Sequence, residues 1–402
     1  MKILCGIQRY YPVIGGSETL TKSLMDYLSM KHDVTVYTSM ADDVRAFWDS
    51  TAKKIMDDYN FKYKVKRYGI LTPTELEYVP TQRFSIASSF PGPFLPKMWE
   101  DVVMNKLDYD LIFATSYPYD HILPLYVASK KWKIPIIIMP LIHQKFPELY
   151  LTSMRLSMLN DSDGIFVLSQ SEKNYLVLHG IPENKISIIK PPLDLVKWKN
   201  LDNLSFRNKH TISNTTKLVL FIGSKSFVKG IIHLMDAMKL VWKKGSDSLL
   251  ILVGPSTREF EEYFNKLPHK FKEKIIDLGI VNEETKKTII ESCNVLVVPS
   301  KSESFGLVYL EAWICKKPVI GCTISSTKEL IEDKKDGILT EFGNIIQLGN
   351  AIDYLINNEK ICEQYGNAGY VKSMKYDSKI VLPQIEEKCL TLVKDFNRCL
   401  SE

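Results

Sequence analysis

The chain has 402 residues, 45% of them apolar and 25% charged, with a net charge of +5. As a prior this length predicts roughly two to three domains of about 150 residues each, large enough to bury cores without disulfide or metal staples. So small a basic excess excludes nucleic acid as the expected partner and suits anionic ligands or an acidic membrane surface. The seven cysteines (Cys5, Cys293, Cys315, Cys322, Cys362, Cys389 and Cys399) form no C-x-x-C pair and no zinc spacing. They read as reduced thiols of a cytoplasmic protein. The opening run Met1–Ile7 is broken at once by Gln8 and Arg9, which suits a first strand better than a signal peptide. The longest apolar run, around Ile134–Ile142, falls far short of the ~20 residues of a spanning helix.

In chain order, short β-branched runs alternate with longer amphipathic stretches, the pattern of parallel α/β layers. Strands are expected at Lys2–Ile7, Asp33–Thr38, Leu111–Ala114, Pro135–Met139, Gly164–Leu168 and Ile186–Ile189, with helices at Thr19–Met30, Leu123–Lys131 and Ser171–His179. A polar stretch, Lys199–Thr216, precedes a second series at Leu218–Ile222, Ser248–Val253, Ile275–Leu278, Val295–Val298 and Pro318–Ile320. Two doubly wound domains with a boundary near residue 200 follow from this. In such sheets ligands bind beyond the carboxyl ends of the strands, so residues just after strands carry the interest.

Three segments occupy such positions. Tyr11–Glu18 follows the first strand, and its Gly15-Gly16 pair allows close backbone approach to a ligand, or simply a tight turn capped by Ser17. Gly223-Ser224-Lys225-Ser226-Phe227-Val228-Lys229-Gly230 follows Leu218–Ile222, where a lysine can hold a diphosphate or stand in an exposed basic turn. Pro299–Ala312 follows the apolar strand Val295–Val298 and carries Glu303 and Glu311 eight residues apart. Eight residues is about 2.2 helical turns, so both carboxylates can border one pocket. Carboxylates accept hydrogen bonds from the vicinal hydroxyls of a ribose or a hexose. Phe305-Gly306-Leu307 opens the helix and offers amides to a phosphate.

The order Gly-Gly-x-Glu, Gly-x(5)-Lys-Gly and Pro-Ser-x-x-Glu-x-Phe-Gly-Leu-x-x-x-Glu-Ala closely resembles the family 4 glycosyltransferases over nearly the whole chain. Weaker echoes are Ser162–Ser169, Leu278-Gly279-Ile280-Val281 and Glu329–Asp333 running into Gly337. The resemblance implies the α/β GT-B fold, in which two Rossmann-like doubly wound domains face each other across a cleft. An acceptor-side domain would cover residues 1–198 and a donor-binding domain residues 199–377, with a C-terminal helix, 378–402, crossing back to the first. The family is retaining and metal-independent and takes nucleotide-diphosphate sugars such as UDP-glucose or GDP-mannose, so no cofactor is expected. The acceptor would be a glycan, a lipid-linked glycan or another hydroxyl compound. By position, Glu311 would bind the ribose and Glu303 a hexose hydroxyl. Lys229 would neutralise the diphosphate together with the amides of Phe305, Gly306 and Leu307. Gly16 would let its loop close, and His143 would lie near the donor sugar, which makes Glu303, Lys229 and His143 the catalytic set. Ser224, Lys225, Ser304 and Ile280 complete the implied donor site. His121 is a weaker candidate, because Asp120-His121 could equally cap a helix.

Three positions depart from the family. Ser224 stands where an arginine is usual, and Lys225 could restore its charge but not its planar fork. Pro191-Pro192-Leu193-Asp194 replaces the usual Asn-Gly before the interdomain aspartate and stiffens the hinge. Ile324-Ser325-Ser326-Thr327-Lys328 replaces a glycine-rich turn. Two Asp-x-Asp sequences, Asp108-Tyr109-Asp110 and Asp161-Ser162-Asp163, precede strands rather than follow them and read as turn and cap acids. Basic residues (Lys53, Lys54, Lys62, Lys64, Lys66 and Arg67) outnumber Asp57 and Asp58. Soon after come Phe84, Ile86, Phe90, Phe94, Leu95, Met98 and Trp99, broken by Pro91, Pro93 and Pro96. That pairing leaves open a peripheral contact with the inner face of the cell membrane, against a lid or a solvated face. Ser224 keeps a non-catalytic nucleotide-sugar sensor or partner subunit as the alternative to an enzyme. A third reading, a nucleotide-sugar epimerase, would need acid/base groups of which His143 is the one candidate.

Overall fold

The computed structural model describes residues 1–52, 54–55, 59–72, 91–199, 201–202 and 204–401. The first sheet contains β1 (Lys2–Gly6), β2 (Asp33–Ser39), β3 (Lys64–Tyr68), β4 (Leu111–Thr115), β5 (Ile136–Met139), β6 (Gly164–Val167) and β7 (Ile186–Ile188). Their order is β3-β2-β1-β4-β5-β6-β7, with every pairing parallel. Parallel strands covered on both faces must be apolar throughout, and β4, β5 and β6 are buried at every residue. Among the helices, α1 (Gly16–Leu28) follows β1, α2 (Ile122–Trp132) follows β4 and α3 (Gln170–Leu178) follows β6. β3 lies inside the basic stretch and was not expected. It is an edge strand, where exposed charge is tolerated and masks the apolar pattern.

The second sheet contains β8 (Lys217–Ile222), β9 (Ser248–Val253), β10 (Ile275–Asp277), β11 (Val295–Val298), β12 (Val319–Cys322) and β13 (Gly337–Thr340). Its order is β10-β9-β8-β11-β12-β13, again all parallel. The helices here include α4 (Ser205–Lys209), α5 (Ile231–Lys243), α6 (Glu283–Ser292), α7 (Leu307–Ile314), α8 (Ser325–Leu330), α9 (Ile345–Asn357) and α10 (Glu359–Ser373). β13 also escaped the sequence reading, being four residues that begin with glycine. Each sheet reverses its winding once, between β1 and β4 in the first and between β8 and β11 in the second. Loops leave the sheet in opposite directions there and open a crevice.

The two compact units are Met1–Pro192 with Lys379–Glu402, and Leu193–Ser378. The division falls after Pro192, a few residues before the expected 198, and the polar stretch 199–216 is not a free linker. Leu193 donates its amide to the Tyr376 carbonyl at 2.8 Å. The buried Arg207 of α4 donates to the carbonyls of Ser213 (2.8 Å), Thr216 (3.0 Å) and Ser292 (3.3 Å), which ties the stretch into the second unit. A chain that places a buried guanidinium must satisfy it.

The closing helix, α11 (Ser378–Ser401), packs with the first unit. A Cβ on Gly164 in β6 would lie 2.5 Å from Leu392 Cδ1 of that helix, so the leucine side chain fills the space that glycine leaves. Glu386 fixes the contact by accepting hydrogen bonds from the Tyr27 hydroxyl (2.7 Å), Lys31 (2.8 Å) and His32 (3.0 Å). Burial works to raise this carboxyl, but its three donors outweigh burial and hold it below its ordinary value.

Part of the basic and aromatic stretch is engaged within the fold, while Lys62 and Lys64 are exposed. Lys66 pairs with Asp101, Arg67 donates to the Tyr11 carbonyl, and Leu95 and Met98 are buried in the core. Phe94 is exposed. Lys53, Asp57, Asp58, Phe84, Ile86 and Phe90 lie outside the described residues. Among the described residues no helix is long and apolar enough to cross a membrane.

Replacing Glu386 with alanine should lower the melting temperature by roughly 2–4 °C. The gap between variant and wild type should be full at neutral pH and close as pH falls through the lowered carboxylate value, below about pH 4. Thermal denaturation across a pH series checks both.

Candidate functional site

In the second unit, two loops leave the winding reversal side by side. Gly230 ends the loop after β8 in a left-handed conformation (φ 73°), and a Cβ there would lie 2.1 Å from the Pro299 carbonyl oxygen. Only glycine allows that approach. Two residues further on, the Lys301 amide donates to the Val228 carbonyl at 2.8 Å and interlocks the loop after β8 with the loop after β11. The consequence is a salt bridge. Lys229 Nζ sits 2.7 Å from Glu303 Oε1, which also accepts from the Ser300 hydroxyl at 2.7 Å. Ser326 at the start of α8 donates to the Glu303 carbonyl at 2.8 Å and holds the main chain beneath.

Helix α7 starts from the same loop. Gly306 takes φ 96°, and a Cβ there would meet the Tyr309 ring at 2.6 Å. Tyr309 in turn donates its hydroxyl to the Val298 carbonyl at 2.7 Å and pins the first turn to β11. The amides that open a helix have no intrahelical acceptor and carry the positive end of its dipole. Gly306 stands just before this helix and Leu307 is its first residue, while the Phe305 ring packs on Tyr376 at 5.8 Å. Ser304 is half-buried in the same loop.

Glu311 lies one turn further along α7, its carboxylate 2.7 Å from Lys286 Nζ on α6. Burial pushes this carboxyl above its ordinary value, against the pull of Lys286. For Lys286 burial works downward, but Glu311 and Glu283 outweigh it and hold the ammonium above its ordinary value. Each group is thus the other's partner in a site that water scarcely enters. Sequence reasoning missed Lys286, because a lysine in the second turn of a helix reads as solvated.

Lys225 is a correction. Its ammonium is buried, grips both oxygens of Asp277 (2.6 Å to Oδ2) and lies 4.9 Å from the Phe260 ring centroid. It does not supply the charge expected of it at the diphosphate position. Ser224 turns back on its own loop, its hydroxyl 3.3 Å from that of Ser226 and its carbonyl accepting the Ser226 amide at 2.8 Å. Ile280 is exposed at the rim of a cavity of about 550 Å³ shared with Phe206, His210, Asn282 and Thr285.

The first unit holds the remaining candidates. Gly16 is the first residue of α1 and is exposed. Ser17 does not cap this helix but donates to the Glu18 carboxylate at 2.8 Å. Glu18 is buried and also accepts from Arg9 at 2.7 Å and Gln8 at 3.3 Å, so the glutamate of Gly-Gly-x-Glu knits its own loop. His143 follows β5, with its ring 6.3 Å from that of Tyr150. The segment before it is braced by Glu172, whose two carboxylate oxygens accept the amides of Ile142 (2.8 Å) and Leu168 (3.1 Å). Glu172 stands three residues after Ser169, which caps α3, but it leaves the helix end to hold the loop before His143. His121 makes no capping bond. It is buried, donates Nε2–H to the Thr115 carbonyl at 2.9 Å, and burial pushes it down to about 3, so it is neutral. Of the two Asp-x-Asp sequences, Asp110 accepts the Lys2 amide at 2.7 Å and Asp163 the Ile136 amide at 2.9 Å.

Comparisons with known proteins agree with this geometry unit by unit. The model of "Glycosyltransferase Family 4" matches residues 14–197, and that of "Glycosyl transferases group 1" matches residues 202–372. The chain belongs to the family 4 glycosyltransferases. An uncharacterised glycosyltransferase of Methanocaldococcus jannaschii is 27% identical over 51% of the chain and 57% of its own length. The capsular polysaccharide biosynthesis glycosyltransferase CapM of Staphylococcus aureus is 25% identical over 58% of the chain and 62% of its own length. The alignments thus span rather less than two thirds of either relative. The crystal structure of Anabaena HepE in complex with UDP and glucose superposes over 97% of this chain and 100% of its own, with a TM-score of 0.76 at 19% identity, which establishes the shared GT-B fold.

In the first unit, too, a carboxyl is raised by burial. Asp120, after β4, accepts the Gly92 amide at 2.7 Å, and burial pushes it up to about 7 against the opposing pull of that amide and of Arg155. A folded carboxyl raised above its unfolded value favours the folded state when protonated, so stability falls as pH rises from about 4 to about 7. Asp120→Asn, which still offers an acceptor to Gly92, should melt a few degrees higher than wild type near pH 8 and at about the same temperature near pH 4. Scanning calorimetry at the two values decides it.

Proposed function

We propose that the protein transfers a hexose from a nucleotide-diphosphate sugar to a hydroxyl of a glycan or glycolipid, with retention at the anomeric carbon and without a metal ion. The observation that carries this reading is the Lys229–Glu303 bridge beside the amino end of α7. A diphosphate entering there takes over Lys229 as its counter-charge and finds the amides of α7 on its other side. Charge-assisted hydrogen bonds of this kind are worth roughly 1.5–3 kcal/mol each. Glu303, released from Lys229, accepts hydrogen bonds from hexose hydroxyls, while Glu311, beside Lys286, accepts them from the ribose.

Transfer in this scheme breaks the bond from the anomeric carbon to the diphosphate oxygen and forms one to the acceptor oxygen on the same face. The leaving diphosphate takes the acceptor's proton, so the protein supplies position and counter-charge rather than a base. His143 and Gly16, both in the first unit, retain the sugar-positioning and loop-closing parts that the family resemblance gives them. UDP and glucose bound to HepE favour a uridine donor, and the capsular role in CapM's name favours a polysaccharide or lipid-linked acceptor at the cytoplasmic face of the membrane. Ser224 sustains one second reading, a subunit that binds the nucleotide sugar without turning it over.

A thermal-shift panel of UDP, GDP, ADP and their sugar conjugates tests the proposal. One nucleotide should stabilise wild type by several degrees with or without EDTA, as ligation of the native state requires. Glu311→Ala should lose that shift. Slow release of free sugar from the matching conjugate separates the enzyme from the sensor. Stabilisation that needs a divalent cation would remove the metal-independent mechanism.

A further inference from the structure

A buried lysine that touches no proposed ligand still needs a reason to be charged. Lys225 Nζ lies beneath Phe260 and is held by both oxygens of Asp277. Its main chain is held as tightly. The Lys225 amide donates to the Pro255 carbonyl at 2.8 Å, and the Thr257 hydroxyl donates to the Lys225 carbonyl at 2.6 Å. Asp277 ends β10, and its Oδ1 also accepts the Gly279 amide at 3.0 Å, the first step of the loop that presents Ile280. The Gly279 carbonyl accepts from the amide of Gly254, the residue before Pro255, at 2.7 Å. The bonds form a closed ring around the carboxyl ends of β8, β9 and β10.

We propose that the Lys225–Asp277 pair is a positioning clamp that locks the phosphate-side loop 223–230 to the loop 278–282 and presets both for the nucleotide. This rests on the donor site proposed above. The clamp touches no substrate atom. Its effect arises because a buried ammonium held by both oxygens of one carboxylate has a narrow choice of geometry, whereas an apolar contact between the same strand ends would tolerate sliding. Preorganised loops lower the ordering cost of binding, so loss of the clamp should appear in nucleotide affinity and much less in the chemical step.

The test measures UDP, GDP and ADP binding by calorimetry, well below the melting temperature of each protein, for wild type, Lys225→Met and Asp277→Asn. Asp277 is partly exposed, so Lys225→Met leaves a carboxylate that water can reach, whereas Asp277→Asn keeps one oxygen acceptor for the buried ammonium. The bound nucleotide should weaken about tenfold in Lys225→Met, with donor KM raised in parallel and kcat within about twofold. Asp277→Asn should shift affinity in the same direction. Hydrogen exchange of the ligand-free proteins provides the second arm. Peptides covering 223–230 and 278–282 should exchange faster in Lys225→Met, while the strand interiors of the same unit stay protected. Unchanged affinity in both variants, or unchanged exchange in both loops, overturns the clamp. A wild type that binds none of the three nucleotides overturns the donor reading instead, and the exchange arm then decides the clamp alone.

Discussion

The second unit depends on one close approach, that of Gly230 to the Pro299 carbonyl. The sheet reverses its winding between β8 and β11, so two loops that diverge in the chain emerge next to each other. They can interlock only because position 230 has no side chain, and the Lys301–Val228 hydrogen bond then fixes their register. Lys229 and Glu303, 74 residues apart, become neighbours as a result of that contact rather than of any local preference. The amino end of α7 arrives at the same place because Gly306 turns the chain left-handed over Tyr309.

Three ion pairs engage the lysines and carboxylates of these segments of the second unit: Lys229–Glu303, Lys286–Glu311 and Lys225–Asp277. Each sets a desolvation penalty against a short, well-formed contact, so each is tolerated without adding much stability. They differ in how a ligand can use them. Lys229 and Glu303 hold opposite charges that a bound donor would separate and redistribute. Glu311 keeps its lysine and offers its remaining lone pairs. Lys225 and Asp277 are closed on each other, and their value lies in the loops they hold.

The first unit shows a different solution to the same burial problem. Glu18, Glu172 and Glu386 are carboxylates placed where main-chain amides or several side-chain donors converge, at the loop after β1, the segment before His143 and the seat of the closing helix. Each spends its acceptor capacity on structure. Asp120 has too few such donors for its burial, and its raised titration follows.

By itself the sequence determined the parallel α/β class, the two series of strands, the family, and the three segments after β1, β8 and β11. Hydrophobic runs and glycine positions are local signals, and strand ends inherit them directly. Charged and short strands such as β3 and β13 were illegible, since edge exposure and glycine erase the apolar pattern. What only the tertiary structure decided was which charges face which. Lys225 and Lys229 look alike in sequence, four residues apart on one turn, yet one is sealed against Asp277 and the other faces Glu303. Lys286, Ser326 and Glu172 have no motif, because their partners lie 23 to 30 residues away. A side chain's partner at such separations is set by the winding of the sheet, which no local window of residues contains.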